Sequence, residues 1–583
     1  MLRALLCAVL LSAGSLAKAA VGSQVAIHEL QTSLLQASFA LSDGAAEGRR
    51  QPGEHAVETL PPPPLPPLVE AAASATAAPE WPLHARVLLV LGIFAAFCLA
   101  VLAIVAPSSA EPEEAEEAQV AAASKGPARC RRAMLWARLL TSVTSLAEGY
   151  ALSCAAGVIV TVEAQMGLTQ GQVAWFQGVI YLAMPFTMLA AGPIADEIGR
   201  VPTVGISYCI LIVGSLLLAT ATGFQQLVLG RAVEALAMGL GFGAIATYMP
   251  EVSPKDSRGR LCGMEEVLIC LGTVLGQVTN RVLMHADAWR WTFAFGSLLP
   301  SIMLVLILLG LLEESPRFLH LKGRHAEAEK SLRRLLSYGE AQEVLASWEA
   351  EGDSATTRAS WYEALFPPPG PGKSAWLVGF TVMAFSSFCG IAVVAMYMPM
   401  VLAEQVGESA AFGMVILAFS ARTLVVMFSS FFLIDSVGRR PLLLVSLFGT
   451  TVGTSALAVS YLVEPENALL AWKLAGYLIF LMSFSIGLGP VAWAYVSEAL
   501  ETRVRGRGVS AALAFSRIFS WGLVTSFPSA SNSIGVGGCY LCLAIVNVIA
   551  LGFVYAFAAE TKGAALESVK DRFPTVSQTA RAR

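Results

Sequence analysis

Polar and apolar positions in this chain come in blocks. From residue 135 onward, apolar runs of about 20 to 27 residues are separated by short polar joints. They lie at 135–160, 173–195, 202–221, 225–249, 262–284 and 291–312. Beyond a longer polar stretch they resume at 375–401, 411–434, 441–462, 470–495, 508–530 and 535–558. Each is long enough to cross roughly 30 Å of hydrocarbon as a helix. In lipid only helices and closed barrels bond all of their own backbone groups, and no run shows the two-residue alternation of a barrel strand. The blocks predict twelve membrane-spanning helices.

The residues ahead of them read differently. Arg3, the apolar run after it and the small residues Ala17 and Ala19 predict a cleavable signal peptide over 1–20. Residues 21–86 form an Ala/Pro-rich leader, with a proline run at 61–67, that is not expected to fold. Val87 to Ala106 is a further apolar run, read as one extra transmembrane helix, and a charged linker over 107–134 follows it. Composition agrees with a membrane protein: the chain is 56% hydrophobic and 14% charged, where soluble domains sit near a quarter charged. The net charge of −4 does not suggest a nucleic-acid partner. Cys539 and Cys542 form a Cys-x-x-Cys inside an apolar run, where packing is the expected role.

Cations orient the spans. Alternate loops hold Arg200, then Lys255, Arg258 and Arg260, then the Arg317–Arg334 cluster, then Arg439 and Arg440, then Arg503, Arg505 and Arg507. The opposite loops hold Glu163, Glu404, Glu408, Glu464 and Glu466. Both ends of the twelve-span body are therefore expected in the cytosol. The polar gap divides the body into a first six-helix half (135–312) and a second (375–558), joined by a cytosolic helical linker (313–374) and followed by a cytosolic tail (559–583).

The two halves repeat. Asp196-x-x-Gly199-Arg200 follows the second span of the first half, and Asp435-x-x-Gly438-Arg439 follows the second span of the other. Tyr248-x-x-Glu251 with Arg258 matches Tyr495-x-x-Glu498 with Arg505, at the same Glu-to-Arg spacing. The half ends rhyme too, "EESPRFL" with "AETKG". A parallel repeat of this kind marks transporters whose halves rock around a central site.

These residues resemble the sugar porter family of the major facilitator superfamily over about 146–569. The finer likeness, carried by "SRGRLCGMEEVLICLGTVLGQVTN" and "RGRGVSAALAFSRIFSWGLVTSF", is to the plant polyol and monosaccharide transporter branch. The resemblance implies an all-α membrane protein with the twelve-span major facilitator fold. It implies a cytosolic latch between the halves, built from Asp196, Arg200, Glu251 and Arg258 with Asp435, Arg439, Glu498 and Arg505. Glu197 and Val201 stand where the family carries arginines, so the N-terminal part of the latch is expected to be the weaker one.

The resemblance also implies a solute site. The family's amide positions correspond here to Ser386, Ser387 and Ala392 in the seventh span and Thr423 in the eighth, while Glu266 takes the fifth-span position. Tyr397 and Trp493 are kept, and Ser516 and Arg517 stand where polyol carriers often have Asn-Arg. Ionisable residues within spans are functional candidates by default, but Glu266 reads equally well as a structural partner of Arg517 or Arg422, and Arg422 reads best as half of an internal ion pair. Proton-coupled relatives place an acid at the position of Ala151, opposite the arginine that is Arg231 here. Glu234 or Glu148 is expected to neutralise Arg231 instead.

The resulting expectation is a secondary carrier of a monosaccharide or polyol, working as a monomer by alternating access, with no cofactor and no metal. A facilitator is preferred to a proton symporter that uses Glu148. A nontransporting sugar sensor and an organic-ion carrier are the rivals. No enzymatic constellation is present. The expected location is multi-pass, in the plasma membrane or in a plastid or endomembrane reached through the secretory pathway.

Overall fold

The computed structural model describes residues 85–92, 127–252, 258–283, 288–310, 312–335, 338–351, 360–367, 371–463, 470–500, 504–562 and 572–573. The predicted signal peptide, nearly all of the leader and most of the extra span and charged linker lie outside them; residues 85–92 are helical. The twelve predicted spans all belong to one compact unit, 86–583.

Every regular element among the described residues is a helix. Ten of them are long and apolar enough to cross a membrane. One of these, Gly506–Phe557, runs for 52 residues and is broken at Gly535, whose φ of 74° and ψ of 160° are not helical, so it amounts to two spans. Arg258–Val282 is a further helix of 25 residues, set apart from the ten by Arg258, Arg260, Glu265, Glu266 and Arg281. Together these account for the twelve predicted segments.

Helix contacts repeat along with the sequence. In the first half, the second span (Gln170–Ile198) and the third (Arg200–Ala219) pack on the fourth (Phe224–Val252), and the fifth (Arg258–Val282) packs on the first (Pro127–Met166). In the second half, the eighth (Glu408–Phe428) and ninth (Arg439–Leu462) pack on the tenth, and the helix that begins at Arg505 packs on the seventh. The halves meet where the second span lies against the Arg505–Phe557 helix and the fifth lies against the eighth. At the first of these contacts Gly178 brings the backbone up to Trp521 and Thr525.

Three predicted spans are interrupted. The sixth is two pieces, Trp289–Gly296 and Leu298–Leu308. The seventh is Pro371–Phe388 followed by Ile391–Val406, with Gly390 between them at φ 98°, a left-handed conformation that costs side-chain-bearing residues energy. The tenth is Leu470–Ile486 followed by Leu488–Ala499. A break inside lipid frees backbone groups that need partners, and side chains supply them at the tenth span. Ser429 Oγ donates to the Ile486 carbonyl at 2.6 Å, and Leu488 N donates to Ser446 Oγ at 2.9 Å. Ser429 opens a five-residue π-helical turn, Ser429–Leu433, at the end of the eighth span, an irregularity often found near functional sites.

Candidate functional site

The breaks in the seventh and tenth spans border a central cavity of about 120 Å³, room for a small solute and not merely for one water. Ser386, Ser387 and Ala392 reach it from either side of Gly390, and Leu488, Gly489 and Trp493 reach it from just beyond Gly487. Discontinuous helices at the middle of a membrane bundle are a common way to build a transporter's solute site. Trp493 lies against Phe242 of the fourth span, with ring centroids 5.2 Å apart, so the platform itself touches both halves.

Two ion pairs line the cavity, and each joins a helix of one half to a helix of the other. Arg422 of the eighth span donates to Glu266 of the fifth at 2.7 Å. Arg517, in the Arg505–Phe557 helix, reaches Glu148 of the first at 3.3 Å. Of the two uses weighed for Glu266, the geometry shows the pair with Arg422. One oxygen of Glu148, Oε2, is buried without a hydrogen-bond partner, as is Nε of Arg422.

Not every residue aligned by family resemblance faces this space. Ser387 and Ser516 both line it and share a hydrogen bond at 2.5 Å. Tyr397 does not line it: its hydroxyl donates to the Val524 carbonyl at 2.8 Å and its ring rests on Phe527. Thr423 is also turned away, its hydroxyl bonded to the Phe419 carbonyl one turn back at 2.8 Å. The cavity is lined instead by Arg422 and by Gln277, Thr273, Ser153 and Tyr181, which the family alignment did not select.

Arg231 and Glu234 stand apart from the cavity, at 0% and 2% side-chain exposure and 3.1 Å from each other on one helix. Ser215 Oγ donates to the other oxygen of Glu234 at 3.0 Å, and Arg231 Nη1 donates to the Ala151 carbonyl at 2.8 Å. The buried cation is thus met by Glu234, while Glu148 meets Arg517.

The charged loops form two similar clusters. Arg200 Nε and Nη2 bond Glu251 at 2.9 and 2.8 Å, and its Nη1 donates to the Ala195 carbonyl at 3.1 Å. Asp196 lies 3.1 Å from the same guanidinium. Glu314, arriving after the sixth span, accepts the backbone N–H groups of Arg200 and Val201 at 3.0 and 3.1 Å, and Ser315 Oγ donates to Glu251 at 2.5 Å. In the second half Arg439 Nε and Nη2 bond Glu498 at 3.2 and 2.9 Å, Glu560 accepts the N–H groups of Arg439 and Arg440 at 3.0 Å each, and Thr561 Oγ1 donates to Glu498 at 2.5 Å.

The glycine of each motif makes this approach possible. Gly199 and Gly438 have φ of 106° and 107°, and a Cβ on either would collide with the incoming carboxylate of Glu314 or Glu560. The described pairs of Arg200 and Arg439 close each half upon itself and do not clasp one half to the other. Each arginine opens a helix whose main contacts among the described residues lie within its own half. The side chains of Arg258, Asp435 and Arg505 lie outside the described residues.

A model of the family "Sugar (and other) transporter" matches residues 133–573. The probable polyol transporter 4 of Arabidopsis thaliana is 30% identical over 458 residues, covering 76% of this chain and 86% of that protein. Polyol transporter 5 of the same plant is 27% identical over 467 residues, covering 75% and 85%. Among solved structures, the proton:xylose symporter XylE of E. coli superposes with a TM-score of 0.63 at 20% identity, covering 75% of this chain and 98% of that one. The chain belongs to the sugar transporter family of the major facilitator superfamily and is a multi-pass membrane transporter.

Proposed function

We propose that this transporter carries a neutral monosaccharide or polyol by alternating access, as a facilitator without proton coupling. The observation that carries the reading is the cavity's charge balance. Its lining holds two carboxylates and two guanidiniums, Glu148 with Arg517 and Glu266 with Arg422. Each charge has its opposite within bonding reach, so an added solute need bring none of its own. Around the pairs are serine hydroxyls and the face of Trp493, the groups suited to a polyhydroxylated solute. The names of the plant relatives support the same class.

The absence of coupling rests on Arg231. In proton-coupled relatives its partner acid stands on a different helix, so motion between helices can gate the proton. Here Glu234 sits one turn along the same helix, and a pair within one helix keeps its distance as the halves rock. Symport through Glu148 is the second reading, favoured by its unpartnered Oε2 beside the cavity.

Uptake of labelled D-sorbitol, myo-inositol, D-glucose and D-xylose into proteoliposomes separates the two. The facilitator equilibrates at least one of them, at the same final level with or without an imposed pH gradient. Gradient-driven accumulation that vanishes in Glu148→Gln would establish symport and remove the facilitator reading.

A further inference from the structure

The fifth span turns one face to the cavity, bearing Glu266, Ile269, Thr273 and Gln277. Most polar groups on and opposite that face already have partners. Glu266 has Arg422. Thr273 Oγ1 donates to the Ile269 carbonyl at 2.9 Å, and Ser153 Oγ donates to the Thr273 carbonyl at 2.7 Å. Gln277 differs. It is 0% exposed, yet neither its Oε1 nor its Nε2 has a hydrogen-bond partner. Buried polar side chains are hydrogen-bonded in the large majority of cases, and an unmatched buried amide is destabilising unless something else completes it.

We propose that Gln277 is a solute-binding residue, the centre of a hydroxyl-recognition subsite distinct from the Glu266–Arg422 end of the cavity. A primary amide presents one acceptor and one donor side by side, the arrangement that takes two neighbouring hydroxyls of a sugar or polyol at once. Eleven positions along the span separate it from Glu266, about 16 Å at 1.5 Å per residue. That is more than one monosaccharide spans, so the two ends act as successive stations on one path. Since the fifth span begins at the end of the bundle that carries the charged loops, the Gln277 station lies toward the opposite mouth.

This subsite rests on the carrier reading above, and the test separates the two. Binding of D-sorbitol, myo-inositol and D-glucose is measured on the purified full-length protein, on Gln277→Met and on Gln177→Met, together with the thermal stability of each without solute. Gln177 is the control: it is equally buried, equally unpartnered and does not line the cavity. Gln277→Met should weaken binding of the preferred solute roughly ten- to a hundred-fold, with stability equal or raised because an unmatched polar group is gone. Gln177→Met should leave binding unchanged. A deoxy analogue that loses affinity for the native protein should lose none further in Gln277→Met.

Unchanged affinity in Gln277→Met overturns the subsite alone. Lost affinity accompanied by lost stability also overturns it, since the amide would then be structural. If the methionine variant cannot be purified, Gln277→Ser is read by the same criteria. Failure of the native protein to bind any of the three solutes overturns the carrier reading, and the subsite with it.

Discussion

The Arg200 and Arg439 clusters follow one plan and differ in how deeply it is buried. Arg200 is 1% exposed and Arg439 is 12% exposed. Arg200 engages both oxygens of Glu251, whereas both bonds from Arg439 go to one oxygen of Glu498. Phe318 lies 5.0 Å from the Arg200 guanidinium, adding a cation–π contact. The N-terminal cluster is therefore the more enclosed of the two, with Glu197 and Val201 standing where the family carries arginines. Glu197 lies at the edge, 81% exposed and 3.2 Å from Lys322, whereas Val201 is buried and gives its N–H to Glu314. Loop arginines counted along the sequence are a poor guide to such a cluster, because its strength depends on what later segments lay over it.

The largest effect should come from removing the central acid of each cluster. Glu251→Gln leaves a buried arginine with Asp196 as its remaining ion pair among the described residues, beside the Ala195 carbonyl, and breaking a buried pair costs about 3–5 kcal/mol. Glu498→Gln uncovers a more solvated arginine and should cost about 1 kcal/mol. Thermal unfolding of the two variants in detergent checks this, and equal losses would break the comparison. The motif glycines come next. Gly199→Ala and Gly438→Ala each force a side chain into a left-handed conformation and against a carboxylate, for about 1–2 kcal/mol. Similar losses at the two positions would sharpen the view that the plan is common and only its depth differs.

The smallest effect is in the pH dependence. Burial pushes the Glu314 carboxyl above its ordinary 4.5, despite the backbone N–H groups of Ser315, Arg200 and Val201. At Glu560 burial pushes the same way, but N–H donation from Lys562, Arg439, Arg440 and Thr561 outweighs it and the carboxyl is lowered. A lowered carboxyl stabilises the fold above 4.5 and loses that contribution as pH falls through its folded value. A raised one contributes stability that is complete below 4.5 and is lost as pH rises through its folded value. On acidification from neutrality, Glu560→Gln should therefore soften the loss of stability and Glu314→Gln should steepen it. Melting curves between pH 7 and 4 would show parallel behaviour if the two acids were equivalent.

The fold was legible because its signals are local and repeated: twelve apolar blocks, two Asp-x-x-Gly-Arg turns and a matching pair of Glu residues. The role of Glu314 and Glu560 was visible only as a rhyme between half ends, since a carboxylate capping a helix start more than 110 residues earlier leaves no local trace. In the cavity, the charges stood out against apolar surroundings, and the Glu266–Arg422 pair was among the weighed alternatives. Tyr397 and Thr423 do not line the cavity, which alignment could not show, because it gives the position along a helix but not the backbone carbonyl that claims a hydroxyl. Gln277 gave no signal, because a lone amide in an apolar run looks the same whether its partner is protein or solute.

The capping of the third span by Glu314 also bears on biogenesis. During synthesis Arg200 and Glu251 leave the ribosome first, and the carboxylate that completes their cluster emerges only after the sixth span. The last contact to form in the first half is thus made by the last residues of that half, and it needs nothing from the second. Glu560 repeats the arrangement at the other end of the chain. Each charged cluster can close as soon as its own half has been translated, while Glu148 and Glu266 of the first half still await Arg517 and Arg422 of the second.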